Sequence, residues 1–209
     1  MRKSSPIRRE AILAAAAQEF SKCGYDGASI AAIAGRLGSS KPTIYRYFPS
    51  KEELFASVTS HAVAKLMGVA EEALQGSEDL RQALVSYGCR YLAFRQSAEA
   101  IDLTRLVFGE SGRSDIGRHI WNGVKMHGVR KVVRSLGLAI EKGKLRDADP
   151  LPMALHLFAL FDAELVEPVV WRAREPASPQ EIEAIVGRAV EAFVNAYRPD
   201  DGSGGGDAD

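Results

Sequence analysis

Apolar residues recur at helical spacing along almost the whole chain. Ile12, Leu13, Ala16 and Phe20 make one stripe, preceded by Ser5-Pro6, a cap followed by proline at a first helical position. Cys23-Gly24-Tyr25-Asp26-Gly27 ends that helix. Ser29 caps a short helix over residues 30–36 that turns inward Ile30 and Ile33 and stops at Gly38, a residue free to take left-handed geometry. Ser40 opens a third helix to about residue 47, with Ile44 and Phe48, four apart, as its buried stripe. Ser50-Lys51-Glu52-Glu53 is a capping box that starts a long fourth helix, residues 50–74. Ser77 and Ser97 are expected to cap two more. A long helical tract runs over 114–142 and ends at Gly143, Asp149-Pro150 starts the next helix, and Ser178-Pro179 with Glu181 starts the last, to about residue 197. Pro168 should kink or end the helix begun at Pro150. Alternating runs bounded by hairpin dipeptides are missing. The pattern predicts an all-α protein of about nine helices: three short ones in a helix-turn-helix arrangement, then a larger helical body.

Composition supports a packed core, since 46% of the 209 residues are hydrophobic. No stretch is long and apolar enough for a membrane span, and residues 1–6 have no apolar signal-like run, so a cytoplasmic protein without a membrane partner is expected. Cys23 and Cys89 are read as reduced thiols. Net charge is +0, yet it is unevenly placed. Residues 1–51 carry nine Lys/Arg against three Asp/Glu, and the remainder eighteen against twenty-four. A basic head on an acidic body fits a head that meets a polyanion.

The third helix supplies the matching chemistry. Opposite Ile44 and Phe48 it presents Lys41, Pro42, Thr43, Tyr45, Arg46 and Tyr47. Cations, hydroxyls and rings on one short helix suit phosphate positioning and base-edge contact in a major groove. Over residues 29–55 the sequence resembles the TetR family DNA-binding domain: Ile33-Ala34, Gly38, Ser40-Lys41-Pro42-Thr43-Ile44-Tyr45-Arg46-Tyr47-Phe48 and Ser50-Lys51-Glu52-Glu53-Leu54 carry the likeness. With the first helix it spans roughly residues 6–66. Leu37, Ser39 and Pro42 depart from the common pattern; the proline costs nothing, because its N–H position has no partner in a first helical turn. The weaker likeness of residues 103–150 is to the AcrR/AefR-like branch.

The resemblance implies a homodimeric, ligand-responsive transcription regulator, a repressor of a palindromic operator released by a small effector, and the stripe Tyr87, Tyr91 and Phe94 with Trp121 points to an apolar or aromatic one. Residues 1–50 would bind double-stranded DNA, 51–198 would bind the effector and dimerise, and 199–209 would be a disordered tail. It implies DNA contacts by Ser29, Ser40, Lys41, Pro42, Thr43, Tyr45, Arg46, Tyr47 and Lys51. Effector candidates are Tyr87, Tyr91 and Phe94 on one stripe, with Trp121 and Val124, and Arg105 and His127 to orient a polar group. Leu155, Phe158, Phe161 and Leu165, with Ile182, Ile185, Ala189 and Phe193, are candidates for an intersubunit four-helix bundle, although the same stripes also suit an intrachain core. His119 and His127 are too isolated for a metal site by spacing, and His156 reads as a satisfied histidine. No metal, cofactor or catalytic residue is expected, for no nucleophile, HExxH or phosphate-loop motif occurs. The rival readings are an all-helical small-molecule-binding protein or enzyme on the same fold without operator binding, and a helix-turn-helix that docks a protein.

Overall fold

The computed structural model describes residues 6–76, 78–112 and 114–199, apart from the side chains of 65–73, 75 and 76. The expected cap at Ser77 and residues 200–209 of the expected tail lie outside the described residues. Every regular element among them is helical. The chain forms two compact units, one of Met1–Lys65 with Val107–His127, the other of Leu66–Leu106 with Gly128–Asp209.

In the first unit, α1 (Pro6–Gly27) buries Ile12, Leu13, Ala16 and Phe20, the stripe that the period predicts, and leaves helical geometry at Gly24, where φ is +68°. Helix α2 (Ile30–Arg36) is capped by Ser29, whose hydroxyl accepts from the Ala32 N–H at 3.0 Å. Gly38, at φ +55°, makes the turn into α3 (Lys41–Tyr47). Ser50 caps α4 (Lys51–Gly76) by accepting from the Glu53 N–H at 3.1 Å. Ile12, Ile33, Ile44 and Leu54, none with exposed surface, join the four helices in one core. Phe20, Tyr25 and Phe55 extend it, two of their contacts being edge-to-face at 4.9 and 5.1 Å, each worth about 0.5–1.5 kcal/mol beyond area burial.

One contact holds α1 to α2 without any sequence signal. Glu19 is buried on α1, and the Arg36 guanidinium reaches its carboxylate at 3.2 Å. Removing Arg36 would leave a buried carboxylate unpaired, the costly half of breaking such a pair.

The tract expected over 114–142 is helical but not uniform. It consists of α7 (Ile116–Ile120), a π-helical turn (Trp121–Lys125) and α8 (Met126–Glu141), ending at Gly143 with φ +66°. Gly123, in the π turn, accepts the Ser60 hydroxyl at 2.9 Å; π turns loosen the regular ladder and are frequent at functional positions.

The second unit contains α5 (Leu80–Arg95), capped by Asp79 through the Gln82 N–H at 3.0 Å. Helix α6 (Ala98–Glu110) is capped by Ser97 as expected, and its last residues belong to the first unit. Helix α9 (Pro150–Asp162) ends before Pro168, which lies instead in the opening turn of a separate short helix, α10 (Val166–Val170). There the missing proline N–H would have had no intrahelical partner, so the ring is accommodated rather than kinking α9. Helix α11 (Pro179–Ala196) packs against α5 and α9. The approach is close at Gly88 of α5, where a Cβ would stand 2.6 Å from Phe161 and 2.7 Å from Val186.

Candidate functional site

The back of α3 is fixed and its front is open. Ile44 and Phe48 are buried in the head core, while Lys41, Pro42, Tyr45 and Arg46 are exposed and Thr43 and Tyr47 half-buried. Tyr45 keeps 44% of its surface accessible. Pro42 sits in the first turn of α3, whose N-cap, Ser40, does not bond the backbone; its hydroxyl pairs with that of Thr43 at 3.0 Å instead. The Arg46 guanidinium lies 5.5 Å from the centre of the Tyr47 ring. Seven residues of helix therefore present two cations, two tyrosine rings and a threonine hydroxyl on a rigid base. That combination can place phosphates and reach base edges.

Lys51 is more constrained than a freely offered anchor. Its ammonium donates to the Asp26 carbonyl at 3.2 Å and stands 4.6 Å from the centre of the Tyr25 ring. Tyr25 in turn hydrogen-bonds Glu52; burial first, then the Glu52 charge, pushes its hydroxyl pKa up. Burial disfavours the Glu52 carboxylate, but the α4 backbone, Ser50 and Tyr25 bond it and hold its pKa below the usual value. This local network fastens the end of α1 to the start of α4.

The residues expected to bind an effector are divided between the units. Tyr87, Tyr91, Phe94 and Arg105 belong to the second; Trp121, Val124 and His127 to the first. Tyr87 and Tyr91 are core residues, packed edge-on against Phe158 at 6.1 and 5.0 Å, and the Tyr91 hydroxyl donates to Asp162 at 3.1 Å. Burial, then the Asp162 charge, drives the Tyr91 pKa up. Phe94 is half-buried. Arg105 donates to the Val170 carbonyl at 2.9 and 2.7 Å, a cation closing the C-terminus of α10. Trp121 turns outward, 52% exposed; Val124 is half-buried. His127 is exposed and lines a cleft of about 660 Å³ within the first unit. Among the described residues no group of three or more His, Cys, Asp or Glu could hold a metal ion, and no helix is long and apolar enough to cross a membrane.

Of the eight residues expected at a dimer interface, Phe158, Phe161, Leu165, Ile182, Ile185, Ala189 and Phe193 are already buried within one chain; Leu155 is half-buried. Their side chains fill the core around α5, α9 and α11. The same helices turn other small and apolar residues outward: Leu151 and Ala159 on α9, Ala184 on α11. His156, beside them, hydrogen-bonds the Tyr197 hydroxyl.

Comparison with known proteins agrees with this architecture. Residues 12–58 match the model of bacterial regulatory proteins of the tetR family, and residues 82–199 that of the AefR-like transcriptional repressor C-terminal domain. The HTH-type transcriptional activator FasR of Mycolicibacterium smegmatis is 40% identical over 77 residues, 37% of this chain but only 35% of that protein. The uncharacterized HTH-type transcriptional regulator YhgD of Bacillus subtilis is 27% identical over 90% of this chain and 94% of its own length. A putative TetR-family regulator from Mesorhizobium loti, at 25% identity, superimposes with a TM-score of 0.75, covering 94% of this chain and all of that one. With a helix-turn-helix head whose recognition face is open, and a matched model over more than half its length, the chain belongs to the TetR family of transcriptional regulators, in its AefR-like branch.

Proposed function

We propose that this regulator is a cytoplasmic repressor that binds a palindromic operator as a homodimer and is released by a small apolar or aromatic effector. Residues 1–50 form the DNA-binding domain and 51–198 the effector and dimerisation domain. The reading rests on one observation above all, the exposed face of α3. Lys41, Pro42, Tyr45 and Arg46 enter the major groove; Ser29, Ser40, Thr43, Tyr47 and Lys51 contact or position the backbone. Lys51 does so from the N-terminus of α4, where backbone N–H groups also favour phosphate.

The dimer forms through α9 and α11. Their apolar stripes are consumed by the intrachain core, so the intersubunit contact uses the outward residues beside them, Leu151, Leu155 and Ala159 on α9 and Ala184 on α11. Symmetric contact of two helices from each subunit gives a four-helix bundle and two recognition helices related by a twofold axis. Ala159→Glu should test it. In light scattering at micromolar concentration the parent chain should weigh twice its 22.6 kDa, and the variant should move toward monomer with its helical circular dichroism intact. A parent chain that is monomeric there would remove the dimer.

A further inference from the structure

The cleft of about 660 Å³ in the first unit has a lining quite unlike an apolar effector pocket. It is walled by α1, α4, α7, the π turn and the first residues of α8. Arg9, Arg118, His61, His119 and His127 line it, against one carboxylate, Glu53. Three of the chain's four histidines thus gather in one concavity although they come from three different helices. Its volume is within the usual range for small-molecule sites, about 300–1,000 Å³. Apolar surface is supplied by Leu13, Ala56 and Ala64.

We propose that this cleft binds a small organic anion bearing a carboxylate or phosphate group. Guanidinium groups offer forked donors that match either oxyanion, and imidazole N–H groups add directional donors. The present partners of these groups leave donors to spare: His119 meets the Asp115 carbonyl through Nδ1 at 2.8 Å, which leaves its other ring nitrogen. Arg118 pairs with Asp115 at 3.0 Å while its side chain is 72% exposed. The Arg9 guanidinium carbon stands over the Phe48 ring, 5.0 Å from its centre, a contact that uses none of its N–H groups in a hydrogen bond to an oxyanion. His61 is 4.0 Å from Glu10, beyond hydrogen-bond reach.

The position of the cleft gives binding a consequence. Its α1 wall carries Arg9, which stands over Phe48 at the end of α3; its α4 wall begins at the capping box. Across from these stands the π turn, already linked to α4 by the Ser60–Gly123 hydrogen bond. An anion bridging α1 and α4 to α7 therefore favours one arrangement of the helices that support α3. Anion and DNA then alter each other's affinity by the same factor. This coupling rests on the DNA-binding reading; the anion site itself does not.

The test is calorimetric titration of the full-length protein, without DNA, at constant ionic strength, with succinate, glycerol 3-phosphate and glycerol as probes. One of the two anions should bind with a dissociation constant of millimolar or tighter, and its identity assigns the oxyanion; glycerol should give no heat. The double variant Arg118→Ala/His127→Gln changes two exposed side chains and should melt as the parent does, yet bind that anion at least tenfold more weakly. No heat from either anion overturns the proposal, as does equal binding by parent and variant. The coupling is read separately, as a change of at least threefold in DNA affinity with saturating anion. Anion binding with unaltered DNA affinity would overturn the coupling alone.

Discussion

Tyr45→Ala and Arg46→Ala should each weaken specific operator binding by about one to two orders of magnitude while leaving the melting temperature within a degree of the parent's. The effect depends on which face of α3 is occupied. Ile44 and Phe48 secure the helix to the core and are buried, so substituting them would unfold the head and say nothing about DNA. Tyr45 and Arg46 are exposed and lie outside that core. Their removal costs no packing of consequence, and surface changes of this kind usually fall within about 0.5 kcal/mol of neutral. A side chain that reads a base edge contributes about 1–3 kcal/mol of discrimination. Binding measured with labelled operator, beside binding to random-sequence DNA of the same length, separates the two contributions. Loss on operator with little change on random DNA is the expected pattern. Unchanged operator affinity in both variants would remove α3 from the interface.

Gly88→Val should prevent the second unit from folding, and Gly88→Ala should lower the melting temperature by several degrees. Phe161 and Val186 are both fully buried, one on α9 and the other on α11, and they close over Gly88 from two sides. A single added carbon would stand 2.6–2.8 Å from them, inside any tolerable contact. Overpacking of a core costs about 1–3 kcal/mol, and a chain of this size loses roughly 2–4 °C per kcal/mol. Helix propensity acts in the opposite direction, favouring alanine over glycine by about 0.8–1.0 kcal/mol. The control is Gly137→Ala on α8, where an added Cβ meets nothing within 4 Å. It gains the propensity without the clash and should melt at or above the parent temperature. Thermal denaturation followed by circular dichroism reads all three. A Gly88→Ala variant as stable as Gly137→Ala would mean that α5, α9 and α11 do not approach as described.

The sequence made the head legible because its signals are local. Helical period placed Ile12, Leu13, Ala16 and Phe20 on one face; Ser29, Ser50, Ser97 and Ser178 cap as their spacing requires; Gly38 supplies the one left-handed residue the turn needs. The exposed set on α3 followed from knowing which two residues were buried. What escaped was whatever depends on distant parts of the chain. Nothing near Gly88 announces Phe161, 73 positions away, and nothing near Glu19 announces Arg36. The stripes of α9 and α11 were visible, but periodicity cannot say whether a stripe is covered by the same chain or by another. Most of it is covered by the same chain. His119 and His127 are eight positions apart and look isolated in the sequence, and nothing there singles out His61; only tertiary packing gathers the three. In the sequence Pro168 marks the place where the helix begun at Pro150 kinks or ends, but that helix ends earlier, at Asp162, where no glycine or proline signals the break.

The central claim, that α3 reads DNA for a dimer of this regulator, is tested most directly by footprinting the full-length protein on DNA upstream of its own gene, repeated across a salt series. Two protected half-sites related by a dyad are expected, their centres about one helical turn, ~34–36 Å, apart or a multiple of it. Affinity should fall steeply as salt rises from about 50 to 200 mM, as it does when several phosphates are neutralised. Random-sequence competitor should not erase the footprint. Binding that random DNA competes away equally well, or a protected site without twofold symmetry, would contradict the account.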